Sequence, residues 1–135
     1  MTNKELVKKW FGHIDGNQFA ELRKLMDDKH SFQNPMTPAP IGGEQHVGMI
    51  QMMTSAMKGE HQLDLILESG DYVTVSGRWK GKHTGEFNGI PATNNPVEFT
   101  FIDIFHIVKG KVTDEHMEMN PMVIMQQVGA MPANV

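Results

Sequence analysis

Apolar residues recur at three- and four-residue intervals in the first third of the chain and again around residue 50. This spacing places them on one face of a helix. We therefore predict a first helix that Thr2 or Asn3 caps, a second short helix from about Asn17, and a third from about residue 43 to 57. The apolar stripes of these helices are Leu6, Val7, Trp10, Phe11 and Ile14, then Phe19, Leu22, Leu25 and Met26, then Val47, Ile50, Met53 or Thr54, and Met57.

The remainder of the chain alternates apolar with polar residues, a period of two that is typical of strands. Prolines and glycines between residues 35 and 43 predict an irregular loop ahead of the third helix. Helices followed by antiparallel strands indicate the α+β class, with helices packed on the concave face of a curved antiparallel sheet and a single domain over residues 1–135. The predicted strands cover residues 30–34, 61–68, 72 to about 85, 97–108 and 112–119, and a last short helix covers 121 to 129.

A curved sheet covered by helices leaves a cone-shaped cavity, and the period of two predicts which side chains point into it. His116 faces outward under strict alternation, and inward only if a bulge intervenes. Trp10, His13 and Met53 are expected on the helical side of the cavity, with core packing as the alternative for Trp10. The strand residues predicted to point inward are Trp79 and His83, then Val97, Phe99, Phe101, Asp103 and Phe105, then Glu115, Met117 and Met119.

Asp103 is the main candidate for chemistry, because it interrupts an apolar run in which Ile102 and Ile104 are its neighbours. A buried carboxylate costs free energy and is usually paired. Asp103 is either a general base whose pKa the apolar cavity raises, suited to removing a proton α to a carbonyl, or a structural carboxylate. In the second case its partner would be His83, Trp79 or a backbone N–H.

Three further residues are candidates for the same site. His83 either orients Asp103 or polarises a substrate oxygen, or it is a structural histidine that holds the loop after its strand. Glu115 would face Asp103 across the strand pair, and two facing carboxylates raise one of the two pKa values. Asn34 is either a polar anchor for a ligand oxygen or a turn former ahead of Pro35.

Composition excludes several function classes. The formal net charge of −4 provides no basic patch for nucleic acid. The chain has no cysteine for a disulfide, a thiolate metal site or a nucleophile. The seven histidines form no H-E-x-x-H motif and no i, i+4 pair, and no glycine-rich phosphate motif follows a strand. We therefore expect no metal, no cofactor and no nucleic-acid partner.

No window approaches the ~18 apolar residues of a membrane span, and the N-terminal residues lack the apolar segment of a signal peptide. A cytoplasmic protein without a membrane partner is therefore expected. The twelve methionines are compatible with an adaptable apolar pocket or with ordinary core filling.

Four segments carry a family resemblance: WFGHIDGNQFAELRKLM, HSFQNP, PIGGEQHVGMIQMM, and HTGEFNGIPAT followed by IDIFHIVKGKVTDEHMEMN. The chain resembles SnoaL-like polyketide-cyclase-type proteins of the nuclear transport factor two-like superfamily. The resemblance implies a cone-shaped α+β fold of the cystatin-like roll type and a largely apolar pocket for a small carbonyl compound. It also implies a homodimer formed through the outer face of the sheet.

The resemblance also suggests where the chemistry of relatives would fall. In the polyketide cyclases an aspartate on the last strand is the acid/base of a cofactor-free aldol closure, and Met117 occupies that position here. Asp103 occupies the place of a cyclase histidine. Asn34 matches the base of ketosteroid isomerases and an asparagine that helps to hold a water in limonene epoxide hydrolase.

Two hypotheses follow. The first is a cofactor-independent acid-base enzyme of the cyclase, isomerase or hydrolase type, in which Asp103 moves the proton and Asn34 or His83 stabilises an oxyanion. The second is a non-catalytic small-molecule-binding or dimeric scaffold protein, because Met117 cannot move a proton.

Overall fold

The computed structural model describes residues 1–132, and its sheet has one layer of helices on its inner side. The elements among these residues are, in chain order, α1 (Asn3–Asp15), α2 (Phe19–Lys24), β1 (Met26–Gln33), α3 (Gly43–Ala56), β2 (Met57–Ser69), β3 (Tyr72–His83), β4 (Pro96–Val108), β5 (Lys111–Glu118) and α4 (Pro121–Gln127).

The five strands form one sheet in the order β1-β5-β4-β3-β2. From β2 to β5 each strand is antiparallel to the next, and β1 pairs with β5 in parallel at the edge of the sheet. Helices α1 and α3 pack on the inner face of this sheet. The predicted α+β class, with helices on one face of a curved sheet, is confirmed.

Helix α1 begins where the sequence predicts it, because Thr2 and Glu5 form a reciprocal capping box. Its apolar stripe is buried, and Trp10 is fully enclosed with its ring edge-to-face against Phe105 at 5.5 Å between centroids. Truncating a buried tryptophan of this kind costs about 3–5 kcal/mol. The helical stripe read from the sequence is therefore the stripe that anchors α1 to the sheet.

The alternation predicted for β4 is also observed. Phe101, Asp103 and Phe105 are buried, whereas Ile102 and Ile104 are 47% and 42% exposed on the outer face. The sheet therefore has a packed inner face and an outer face with exposed apolar residues.

Two predicted boundaries were wrong, because strand pairing overrides local propensity. Strand β1 starts at Met26 rather than at residue 30, since Met26 pairs with Val112 of β5. Strand β2 starts at Met57, immediately after α3, since Met57 pairs with His83 of β3. Because β1 begins at Met26, this residue of the stripe predicted for the second helix lies outside α2, which ends at Lys24. The other strand and helix ends lie within two residues of their predicted positions.

Within residues 1–132, no helix has the length and apolar character needed to cross a membrane. The cytoplasmic location stays a prediction.

Candidate functional site

A cavity of about 380 Å³ lies between the helices and the inner face of the sheet. This volume is in the range of pockets for small molecules, which are mainly apolar with a few placed polar groups. Much of its wall is apolar side chains, among them Phe11, Ile50 and Phe99. The residues predicted to face the cavity that do line it are Trp10, Asn34, Met53, Trp79, Phe99, Asp103, Glu115, Met117 and Met119.

Three other predicted pocket residues lie elsewhere. His116 is on the outer face, with 45% of its side chain exposed and its Nε2 2.8 Å from Oε1 of Glu118. The alternation of β5 is unbroken from Glu115 to Glu118, so His116 faces outward as strict alternation predicts, and the bulge that would have placed it in the pocket is not present at this point. The imidazole of His13 pairs with Gln18 beyond the end of α1 (Nδ1 to Oε1, 2.9 Å) and does not line the cavity. Phe101 is buried in the core against Phe11 rather than at the cavity surface.

His83 lies too far along its strand to serve Asp103. Asp103 pairs with Val75 of β3, and His83 is eight residues further along, about 26 Å at the rise of a strand. The ring of His83 instead places Nδ1 2.9 Å from the Thr93 hydroxyl, and its backbone bonds to Asn95. The expectation that His83 assists Asp103 is therefore corrected in favour of the structural alternative.

Asp103 and Glu115 form a pair of carboxyl groups on the inner face. In the β4–β5 register Asp103 faces Met117 and Glu115 faces Phe105, so the two carboxyl-bearing residues are diagonal neighbours on one face. Asp103 is completely buried, and Glu115 keeps 4% of its surface accessible. Within the described residues, three carboxyl oxygens of this pair have no hydrogen-bond partner: both oxygens of Asp103 and Oε1 of Glu115.

The environment of this pair favours protonated carboxyl groups. Burial, and then the charge of Glu115, raises the pKa of Asp103 well above its ordinary value. Burial also raises the pKa of Glu115 to about 7. Both pKa values are raised, so the pair holds a proton more readily than two isolated carboxyl groups would.

Two buried histidines, His30 on β1 and His46 on α3, lie next to each other and close to Glu115. His30 Nδ1 lies 2.9 Å from the carbonyl oxygen of Val112, and His30 Nε2 lies 3.0 Å from Nδ1 of His46, with the two rings within 3° of coplanar. His46 Nε2 lies 3.6 Å from Oε1 of Glu115. The three side chains therefore form a line that ends on the carboxyl pair.

The backbone carbonyl oxygen of Val112 determines which ring nitrogens of His30 and His46 carry a proton. A carbonyl only accepts, so His30 Nδ1 carries a proton. Burial lowers the pKa of His30, and it lowers that of His46 to about 3, so both rings are neutral. His30 Nε2 therefore accepts from His46 Nδ1. His46 Nε2 is left without a proton, facing Glu115.

The loop after β1 explains why these histidines meet. Phe32 and Ile41 exchange backbone hydrogen bonds of 2.8 and 2.9 Å, which returns the chain to β1 just before α3 begins. The ring of Phe32 then stacks on His46 at 3.7 Å between centroids. Sequence reasoning missed His30 and His46, because the residues lie on separate elements and no spacing signal links them.

His30, His46 and Glu115 each offer a ligand atom, and these atoms lie within 4.8 Å of one another. Both ring nitrogens of His30 and the Nδ1 of His46 are engaged in the line just described. Only His46 Nε2 and Glu115 remain from this group, fewer than the three protein ligands of a typical catalytic zinc. The arrangement therefore fits a hydrogen-bonded chain better than a metal site.

A second polar group lines the cavity and was also missed. Asp15, at the end of α1, accepts from the backbone N–H of His61 at 2.9 Å, and its other oxygen lies 2.6 Å from His61 Nδ1. The His61 ring packs on Phe11 at 4.8 Å and against Phe101 at 5.7 Å between centroids. Its orientation is therefore fixed from several sides.

The matched family agrees with this architecture. The family model of SnoaL-like polyketide cyclases matches residues 5–128. The chain belongs to the SnoaL-like polyketide cyclase family. A search of curated proteins found no matching relative.

Several solved structures of this type share the fold. AclR from Streptomyces galilaeus, a candidate hydroxylase, has a TM-score of 0.86 at 17% identity, covering 96% of this chain and 82% of its own. Wild-type IdmH from Streptomyces antibioticus, a candidate polyketide cyclase, has a TM-score of 0.86 at 18% identity, and the match covers 96% of this chain and 99% of IdmH. A candidate SnoaL-like polyketide cyclase from Jannaschia sp. CCS1 has a TM-score of 0.86 at 22% identity, and the match covers 96% of this chain and 93% of that protein. At these identities the likeness shows the fold alone.

Within the SnoaL-like fold, Met117 lines the cavity directly beside the carboxyl pair, since it faces Asp103 across the strands. This is the position where the resemblance places the acid of the cyclases. Here the carboxyl groups lie on either side of it, on β4 and two residues earlier on β5.

Proposed function

We propose that this SnoaL-like protein binds a small apolar carbonyl compound and transfers a proton on it without a cofactor, as an aldol cyclase or isomerase does. The observation that supports this most is the Asp103–Glu115 pair: two buried carboxyl groups on the wall of an apolar cavity, three of whose oxygens have no hydrogen-bond partner in residues 1–132. Perturbed carboxyl pairs in a cleft are typical of acid/base sites.

In this proposal the two carboxyl groups act as a unit. Glu115 is the member with accessible surface, and its pKa of about 7 suits a general base at neutral pH. It takes the proton from the carbon α to the carbonyl, the C–H bond breaks, and the electron pair moves to the carbonyl oxygen. Asp103 stays protonated beside the Glu115 carboxylate. Glu115, which keeps some accessible surface, can exchange the proton it has taken with solvent and then returns a proton to a carbon or oxygen of the product.

Asn34 is the proposed donor to the developing oxyanion. Its Oδ1 accepts from the backbone N–H of Met36 at 2.8 Å. This bond orients the amide and leaves its NH₂ group as the donor, and Asn34 is one of the residues that line the cavity. A donor fixed in advance is effective because it needs no reorganisation when charge develops.

Deuterium exchange into 2-tetralone, an apolar bicyclic ketone, tests the proposal without knowledge of the natural substrate. The protein in D₂O should accelerate loss of the α-proton NMR signals over buffer. Glu115→Gln and Asp103→Asn should each reduce this rate roughly 100-fold, the lower end of general acid-base contributions. Glu118→Gln, on the outer face of the same strand, is the matched control and should exchange at the wild-type rate.

Met117 at the family's acid position supports a second candidate, a non-catalytic binding protein. In that case 2-tetralone would bind in the cavity, as detected by shifts of methyl signals of Met53 and Met117, yet exchange would equal the buffer rate. Exchange that survives in both Glu115→Gln and Asp103→Asn would instead rule out the carboxyl pair as the acting group.

We also propose that a second copy covers the outer face of the sheet. Five apolar or aromatic side chains are 42–55% exposed there. Exposed apolar patches of this kind mark interaction sites. Sedimentation should show a dimer that Ile104→Lys dissociates, whereas Met52→Lys on α3 leaves it intact; a wild-type monomer would contradict this. The five residues are Leu65, Leu67, Tyr72, Ile102 and Ile104.

A further inference from the structure

The polar residues of the cavity wall fall into two groups at opposite ends of α3. One group adjoins the start of this helix, at His46, and the other adjoins its end, at Thr54. Eight residues of helix separate these positions by about 12 Å. The first group is Asn34, His46, Asp103 and Glu115, and the second is Asp15, Asn17, Thr54, Lys58 and His61.

Within the second group, the Asp15–His61 pair has a defined proton arrangement. One oxygen of the Asp15 carboxylate accepts a hydrogen bond from the backbone N–H of His61 at 2.9 Å, and the other lies 2.6 Å from its ring Nδ1. An acceptor this close to Nδ1 fixes the ring proton there. In the neutral ring His61 Nε2 then carries no proton, and the hydrogen bonds of His61 to Asp15 among residues 1–132 use its backbone N–H and Nδ1, not Nε2.

The surroundings of this pair differ from those of an ordinary surface ion pair. Only 14% of the His61 side chain and 23% of the Asp15 side chain are exposed, and both residues line the cavity. Phe11 and Phe101 hold the imidazole on two sides. A histidine in a cavity wall whose Nδ1 is oriented by a carboxylate is the arrangement of an activated acid-base group.

We propose that His61 is a second acid-base and ligand-binding group of this protein, that Asp15 positions it, and that the ligand is an elongated apolar molecule with an oxygen function at each end. The inference rests on the proposed function for the carbonyl end, which Glu115 serves. At the other end His61 Nε2 accepts the proton of a ligand hydroxyl: the O–H bond breaks, its electron pair stays on the ligand oxygen as an alkoxide or phenolate, an N–H bond forms at Nε2, and the Asp15 carboxylate balances the imidazolium charge.

The first test uses 2-naphthol, an apolar bicycle with one hydroxyl, and ¹⁵N-histidine-labelled wild-type protein. In the free protein, at a pH where the ring is neutral, the His61 spectrum should show the Nδ1–H tautomer. Addition of 2-naphthol should shift the Nε2 resonance, and naphthalene, which lacks the hydroxyl, should leave it in place. An Nε2–H tautomer in the free protein, or an Nε2 resonance indifferent to 2-naphthol, would overturn the proposal.

The second test measures 2-naphthol affinity by fluorescence in Asp15→Asn and His61→Gln. Each should bind roughly tenfold more weakly, the factor of a hydrogen bond worth about 1.4 kcal/mol. In Asp15→Asn the Nε2 response should also be lost, because the amide NH₂ replaces one of the two carboxylate oxygens and leaves one of the two His61 donors facing another donor. Asp114→Asn is the matched control: Asp114 pairs with His106 at 3.3 Å on the outer face, and its loss should not change affinity.

The two proposals fail in different ways. If Glu115→Gln leaves exchange into 2-tetralone unchanged while the His61 response to 2-naphthol persists, the carboxyl proposal fails and His61 remains a ligand group. If exchange depends on Glu115 but 2-naphthol affinity is the same in wild type, Asp15→Asn and His61→Gln, the role of His61 fails alone. The wild-type tautomer measurement needs no variant, so a variant that does not fold leaves the inference testable.

Discussion

His46 presents its Nε2 to Oε1 of Glu115 at 3.6 Å, and it does so as a neutral imidazole. The distance exceeds that of a hydrogen bond. An ionised Glu115 would face a lone pair at this nitrogen, whereas a protonated Glu115 can donate to it after a small approach. The neutral ring therefore favours the protonated carboxyl, in the same direction as burial.

The first prediction concerns the charge of His46. Because burial lowers its pKa to about 3, its ¹⁵N resonances should remain those of a neutral ring at pH 5, with the proton on Nδ1. In urea the same ring should titrate near 6.5, the ordinary value for histidine. A charged His46 in the folded protein at pH 5 would show that the line from the Val112 carbonyl does not fix its proton.

The second prediction concerns stability against pH. The native pKa of Glu115 is about 7 and its ordinary value is 4.5, so its contribution to the unfolding free energy is complete below 4.5 and is lost as pH rises to 7. Asp103 contributes with the same sign. His30 and His46, with lowered pKa values, lose their contribution in the opposite direction, as pH falls below 6.5.

These contributions oppose each other between about pH 4.5 and 6.5, and the carboxyl groups act alone above 6.5. Urea unfolding should therefore show wild-type stability falling between pH 6.5 and 7.5, by at most about 1.4 kcal/mol per pH unit for each unmatched proton. The stability of Glu115→Gln should fall less over this interval, and the stability of Glu118→Gln should fall as much as that of the wild type. Stability that rises over the same interval in the wild type would contradict the raised pKa values.

Local patterns were sufficient to predict most of the fold. Period-two alternation correctly separated Asp103 and Phe101 from Ile102 and Ile104, because one face of β4 is packed and register leaves no other choice. The start of β1 at Met26 could not be predicted, since it depends on pairing with a strand some 86 residues later in the chain.

The candidate site was only half predictable for a related reason. Asp103 and Glu115 are on neighbouring strands, so alternation and the short connection between β4 and β5 place them together. His30 and His46 meet through a loop that returns on Phe32, and Asp15 meets His61 across 46 residues. Such contacts arise from tertiary packing and leave no periodic trace in the sequence. Alternation also could not tell that His83, although inward, lies beyond the end of the cavity.

The third prediction compares two phenylalanines on the inner face of β4. Phe101 is 2% exposed and packed in the core, so Phe101→Ala should lower the unfolding free energy by about 3–5 kcal/mol. Phe99 is partly buried and lines the cavity, so Phe99→Ala should cost less. Equal losses in urea unfolding would mean that the cavity is closed around Phe99.

The fourth prediction concerns glycines that face each other beneath Trp79. Gly59 pairs with Gly81, and the Trp79 ring covers the place where a Cβ on either glycine would lie. A Cβ at Gly81 would also meet the backbone oxygen of Lys58, which cannot move aside as a side chain can. We expect Gly81→Ala to destabilise the protein by about 1–3 kcal/mol through overpacking.

The matched control for this change is Gly48→Ala in α3, where a Cβ would meet nothing within 4 Å. That variant should stabilise the protein by about 0.5–1 kcal/mol, because alanine is the better helix former. Because Trp79 forms part of the cavity wall, Gly81→Ala should also weaken 2-tetralone binding, while Gly48→Ala should not. If both variants changed stability and binding alike, the glycine pair would not be what positions the indole.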